Sequence, residues 1–260
     1  MNMAHTVAGF LVGGVVGMTG IGGGSLMTPI LMLLFGHTPQ TAVGTDLLFA
    51  CVTKSVGWTI HDRNGTVDRQ VLYRLLWGSI PVAVIANLYI HFHPLAPHEG
   101  RWLVALVGAA IIPTAIGLFC KPLLLRPSLA LHPATQAFFM KYQVAFTIAA
   151  GVVVGAMVSL TSVGAGALGT LMLVYLYPLR MKAAHLVGTD ITHAIPLTLV
   201  AGIGHLLNGN ANLPLLANLL TGSIPGIIIG SLIVTRLPEA PVRNLLAAVL
   251  LLMGLKMVVA

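Results

Sequence analysis

Two short sequences occur twice in this chain, and each places a carboxylate in apolar surroundings. Val43-Gly44-Thr45-Asp46 returns as Val187-Gly188-Thr189-Asp190, 144 residues later. Of the six acidic residues, only Asp46 and Asp190 fall inside apolar runs. An ionisable group in such a run is costly and is a functional candidate by default, here for proton or cation coupling. Thr45 and Thr189 add a hydroxyl donor beside each carboxylate. The competing reading is a first-turn carboxylate held by the helix dipole. Asp46 is expected about five residues, or about 8 Å, into its helix.

The second constellation is a pair of breaks between apolar segments. The first reads Thr19-Gly20-Ile21-Gly22-Gly23-Gly24-Ser25, and the second Thr161-Ser162-Val163-Gly164-Ala165-Gly166-Ala167. Non-helical chain at membrane depth is tolerated only where it is buried in protein or lines a watery cavity. Two such breaks in corresponding positions of two halves point to a substrate site between them. Glycine lets backbone amides approach a ligand, and each break opens a helix whose positive N-terminus suits an anion. The expected binding set is Thr19, Gly20, Gly22, Gly23, Gly24 and Ser25 from the first break, and Thr161, Ser162, Gly164 and Gly166 from the second. Thr45 and Thr189 complete it. The competing reading is close helix packing on small residues. A run of three glycines exceeds what packing needs.

Single residues add less. Lys54 lies six residues from the end of its apolar run, so snorkelling to the interface is the first expectation and a cavity-facing role the second. His61 and His205 are repeat-related and adjoin Asn64-Gly65 and Asn208-Gly209; they cap locally or relay protons. His193 follows Asp190 by one turn and has no histidine counterpart. Ser79 and Ser223 precede Pro81 and Pro225, where a kink is expected to shape the cavity. Cys51 and Cys120 have no metal or redox spacing, and neither a metal-ligand set nor a nucleophile with its base is legible. No cofactor is expected, and no enzyme.

The elements that position these groups follow from composition. Hydrophobic residues make up 57 % of the 260 positions and charged residues 7 %, against about a quarter charged in soluble domains. Apolar runs are long and unbroken rather than alternating, which excludes an outer-membrane barrel. The result is an all-α polytopic membrane protein. Thirteen Lys and Arg against six acids give a net charge of +7. In this setting the excess reflects orientation across the membrane, not nucleic-acid binding.

Repetition extends beyond the aspartates. Gly22 to Leu26 lies over Gly164 to Leu168 at an offset of 142, and Gly78-Ser79-Ile80-Pro81 over Gly222-Ser223-Ile224-Pro225 at 144. We expect a first repeat over 1–120, a polar linker over 121–141 and a second repeat over 142–260. If each broken segment is a re-entrant hairpin, six spans remain and the halves are inverted. Ten basic residues then share one face, leaving Arg101 and Lys256 opposite. If each crosses as one interrupted helix, eight spans result and the basic residues divide seven to five. The inverted reading obeys the positive-inside rule better, although the segment from Tyr142 to Leu160 is long enough to span.

The Gly-Gly-Gly-Ser-Leu break with Pro29, the Ala42-Val43-Gly44-Thr45 sequence and the duplicated layout resemble the sulfite exporter TauE/SafE family of bacterial permeases. The resemblance covers essentially the whole chain. It implies a multi-pass protein of the bacterial inner membrane that moves small sulfur-containing anions such as sulfite, sulfoacetate or thiosulfate, generally outward. Ala165 and Ala167 depart from the first copy's Gly23 and Ser25. The expected function is secondary transport by alternating access, with possible proton or cation coupling through Asp46 and Asp190. A passive anion channel and, further off, an intramembrane redox protein are the alternatives.

Overall fold

The computed structural model describes residues 3–19, 24–63, 65–93, 100–124, 133–164, 166–177, 181, 183–233 and 239–259. For 19, 24, 57, 59–63, 121–124, 133–140, 167, 183 and 239 it describes the backbone alone. Among these residues the chain is all-helical, with ten helices and no strand. The first five are α1 (Met3–Thr19), α2 (Gly24–Leu33), α3 (Pro39–Arg63), α4 (Arg69–Phe92) and α5 (Gly100–Leu124). The next five are α6 (Pro133–Thr161), α7 (Ala167–Leu176), α8 (Ala183–Leu207), α9 (Leu213–Ile233) and α10 (Glu239–Val259).

Among the described residues six helices are long and apolar enough to cross a membrane: α4, α5, α6 from Lys141, α8, α9 and α10. This set differs from the sequence expectation in two places. The second broken segment contributes a helix of spanning length, α6. Conversely α3, at 25 residues, carries Asp46 and Lys54 along its length and is the more polar helix. Helix α6 begins at Pro133, a residue suited to the first helical position.

Both broken segments fold back. The His5 ring at the start of α1 lies 4.4 Å from that of Phe35, just past α2. Gln143 Nε2, early in α6, donates to the Leu176 carbonyl at the end of α7, at 2.7 Å. Each pair is therefore a helical hairpin whose two ends lie side by side.

Glycines set the packing between the five-helix series. A Cβ on Gly9, Gly13 or Gly17 of α1 would strike the carbonyls of Leu219, Ser223 and Ile227 of α9, so these helices run parallel with backbones in close contact. Gly151 and Gly155 of α6 meet Leu75 and Ser79 of α4 in the same way. The two sets differ by 142 residues on the hairpin helix and 144 on its partner. At the centre, Gly44 of α3 faces His205 of α8 and Gly202 faces Leu48, so α3 and α8 cross antiparallel. Helices α5 and α10 form a further pair.

The apolar core follows these contacts. One cluster runs from Met27, Leu31, Leu47 and Phe49 through Val107 and Ile111 to Leu219 and Leu250. A separate group of Val71, Leu75, Leu173, Tyr177, Met181 and Leu186 packs where α4, α7 and α8 meet. Pro81 and Pro225 sit within α4 and α9, which continue as helices through them.

Candidate functional site: a buried row of ionisable groups

Asp46 is the eighth residue of α3 and Asp190 the eighth of α8, and neither helix has an acid in its first turn. The reading as first-turn carboxylates therefore fails. Each helix begins earlier than its apolar run does, which draws the carboxylates into the protein. Asp46 is 0 % exposed and Asp190 2 %.

Lys54 is 3 % exposed and does not snorkel. It lies within electrostatic reach of Asp46, Asp190 and His193. With Leu48 opposite Gly202, the antiparallel register sets Lys54 opposite Pro196. By helical rise it is about 12 Å along α3 from Asp46 and about 9 Å along α8 from Asp190. The three groups thus form a row, with one carboxylate toward each end and the ammonium between them.

Each carboxylate also meets its own hairpin. Thr28 Oγ1 in α2 donates to Asp46 Oδ2 at 2.5 Å. Thr170 in α7 faces Asp190, and a Cβ on Gly169 would collide with Asp190 Oδ1. Thr28 and Thr170 are 142 residues apart, so extending the repeat by two residues past Leu26 and Leu168 identifies them. Each outgoing hairpin arm thus presents its first two turns, the positive end of its dipole, to a carboxylate of the protein itself.

The second break is described in part. Ser162 is buried with φ 59°, a left-handed conformation that is strained for a residue bearing a Cβ. Its hydroxyl faces Asp46 without the alignment of a hydrogen bond. Gly164 and Gly166 have φ of 118° and 143°, which favour glycine. Thr161 Oγ1 donates to the Met157 carbonyl at 2.6 Å and accepts from Val163 N at 3.1 Å, fixing the end of α6. Of the first break, Gly20, Gly22 and Gly23 lie outside the described residues, as does the Thr19 side chain. Gly24 opens α2, and Ser25 is buried in its first turn.

Thr45 and Thr189 do not stand beside the carboxylates. Thr45 Oγ1 accepts from Asn212 N at 3.0 Å, and Thr189 Oγ1 from Asp68 N at 2.9 Å. Consecutive residues point about 100° apart around a helix. The threonines accordingly tie each central helix to a connection in the other series while the aspartates face inward. His205 Nε2 donates to the Ser159 carbonyl at 2.9 Å, and His193 Nε2 pairs with Ser79 Oγ at 2.9 Å. Ser79 is therefore a partner of a buried histidine, a role the proline beside it did not suggest. The His61 side chain lies outside the described residues. No group of three or more metal-ligating side chains occurs among the described residues.

Comparison with known proteins settles the class. The model of the family described as "Sulfite exporter TauE/SafE" matches residues 6–257. The chain belongs to the TauE/SafE family. It is 37 % identical over 262 residues to a Bacillus subtilis protein named "Probable membrane transporter protein YjnA", covering 99 % of this chain and all of that one. A second protein of that organism, "Probable membrane transporter protein YdhB", is 26 % identical, with 90 % of this chain and 91 % of its own length aligned. "Probable membrane transporter protein MJ0441" of Methanocaldococcus jannaschii is 24 % identical over 78 % of this chain and 72 % of its own. No solved structure matches. This TauE/SafE member is thus a multi-pass membrane transporter, as its spanning helices also require.

Proposed function

We propose that this transporter is a secondary carrier of a small sulfur-containing oxyanion or organosulfonate, in the class of sulfite, sulfoacetate and thiosulfate. Its halves form inverted repeats, and it works by alternating access. The observation that carries the proposal is the buried row Asp46, Lys54, Asp190 at the crossing of α3 and α8. Lys54 is the counter-ion for the substrate at mid-depth. Asp46 and Asp190 stand one on each approach to it.

With all three groups ionised the row carries one net negative charge, and an anion approaching Lys54 must pass a carboxylate. Like charges repel strongly where the dielectric is low. Protonating that carboxylate removes the repulsion and also frees the hairpin N-terminus and its threonine hydroxyl to face the substrate. Anion and proton therefore enter together and leave together. Net direction follows the sum of the substrate and proton gradients, so a substrate formed inside the cell is exported when its outward gradient exceeds the inward proton gradient. Ser25, Ser162 and the amides of Gly164 and Gly166 line the passage. Thr45, Thr189 and Thr161 serve to hold the scaffold around it.

The test is flux into proteoliposomes of sulfite, thiosulfate, sulfoacetate, sulfate and taurine. The carrier reading expects uptake of at least one sulfur anion that saturates and exchanges with substrate inside. Non-saturating flux without exchange favours the passive channel instead.

A further inference from the structure

One end of the molecule carries a polar pocket of about 320 Å³ lined by Thr38, Gln40, Ile90, His91, Leu207, Asn208 and Asn210. Polar side chains continue inward from it. His91 Nδ1 pairs with Asn208 Oδ1 at 2.8 Å, and Asn208 Nδ2 donates to the Asn87 carbonyl at 3.2 Å. The Asn87 amide rests on Gly204, where a Cβ would displace it, and the next residue, His205, bonds to the Ser159 carbonyl. One turn beyond Ser159 is Ser162, which faces Asp46.

Along this line Asn87 Oδ1, His205 Nδ1, Ser159 Oγ, Ser162 Oγ and Asp46 Oδ1 are buried and have no hydrogen-bond partner among the described residues. Buried polar atoms are nearly always paired, with protein or with ordered water. Five unpartnered groups in one file leading from a polar pocket match the lining of a water chain. We infer that a hydrated path joins the Thr38 and Asn208 end of the protein to Asp46, delivering water and protons to that carboxylate.

The serines of this path belong to the second copy alone. At the repeat offset of 142, Ser159 and Ser162 fall over Gly17 and Gly20, which supply no hydroxyl. Toward the other end, the approach beside Asp190 is packed by Leu173, Tyr177, Met181 and Leu186. In this state the path reaches Asp46 from the Thr38 and Asn208 end. The inference rests on the coupling role of Asp46 for its purpose, but the path itself is testable without it.

The experiment uses Ser159→Cys and Asn87→Cys in the full-length protein with Cys51 and Cys120 replaced by Ala, reconstituted and treated with a small charged methanethiosulfonate from either face. Val158→Cys, at the same depth in the apolar core, is the control. Modification of Ser159→Cys and Asn87→Cys from the face bearing Thr38, with Val158→Cys inert, is the expected result. Ser159→Cys is nearly isosteric and keeps the test decisive where Asn87→Cys disturbs folding. Reactivity no greater than that of Val158→Cys, or reactivity from the opposite face alone, overturns the path. Adding Asp46→Asn separates the two claims. Labelling retained in a protein whose flux ignores pH supports the path, whereas pH-dependent flux in the unmutated protein with Ser159→Cys inert overturns it while coupling stands.

Discussion

At the scale of the residue, the proposed function rests on charges that have no place in hydrocarbon unless they face one another or a substrate. Lys54 was the least legible of them. Its distance from the helix end gives it room to snorkel, and only the antiparallel crossing of α3 and α8 draws it between two carboxylates. Asp46 and Asp190 were legible as a pair because the repeat isolates them among so few acids. Thr28 and Thr170 were within reach of the same comparison, whereas the actual bonding of Thr45 and Thr189 depends on which way each helix is turned. Two outcomes follow. Lys54→Met removes the ammonium with little change in volume and should abolish binding of sulfite or thiosulfate by calorimetry, with the helical circular dichroism unchanged. Gly169→Ala sets a methyl group against Asp190 Oδ1 and should impair flux far more than Gly36→Ala, whose position has nothing within 4 Å although its φ of 65° adds strain.

Helices and their hairpins explain why glycines and prolines recur where they do. The breaks were legible in the sequence as interruptions between apolar runs, and their hairpin course is shown by the contacts of His5 with Phe35 and Gln143 with Leu176. Helix starts were less legible, since Pro39 and Ala183 begin α3 and α8 outside the apolar runs. The parallel packing of α1 on α9 and of α6 on α4 was not legible, because one sequence shows which residues are small but not what lies against them. Gly13→Ala and Gly155→Ala each drive a Cβ into the Ser223 or Ser79 backbone. Either should cost about 1–3 kcal/mol, the usual penalty of overpacking, read as a lowered midpoint of thermal unfolding in detergent. Val144→Ala, on an exposed face of α6, is the comparison and should leave that midpoint nearly unchanged.

Over the whole molecule, the contacts of one five-helix series return in the other with partners exchanged. Thr45 with Asn212 mirrors Thr189 with Asp68, and Gly13 with Ser223 mirrors Gly155 with Ser79. A two-fold axis across the antiparallel α3 and α8 pair would give this pattern, which supports the proposed inversion of one half relative to the other. The topology follows as an expected outcome: single cysteines in 36–38 and in 178–182 should be labelled from opposite faces of the membrane. With Lys54 near that axis, the proposed coupling requires that an anion reach the ammonium only in company with a proton. Its most direct measurement is internal pH in proteoliposomes during uptake of thiosulfate or sulfoacetate, or whichever transported anion does not itself buffer near neutrality. The account predicts acidification of the interior that tracks anion uptake and is lost in Asp46→Asn and Asp190→Asn. Anion uptake by the unmutated protein with no proton movement, or the same proton movement in both variants, would contradict it.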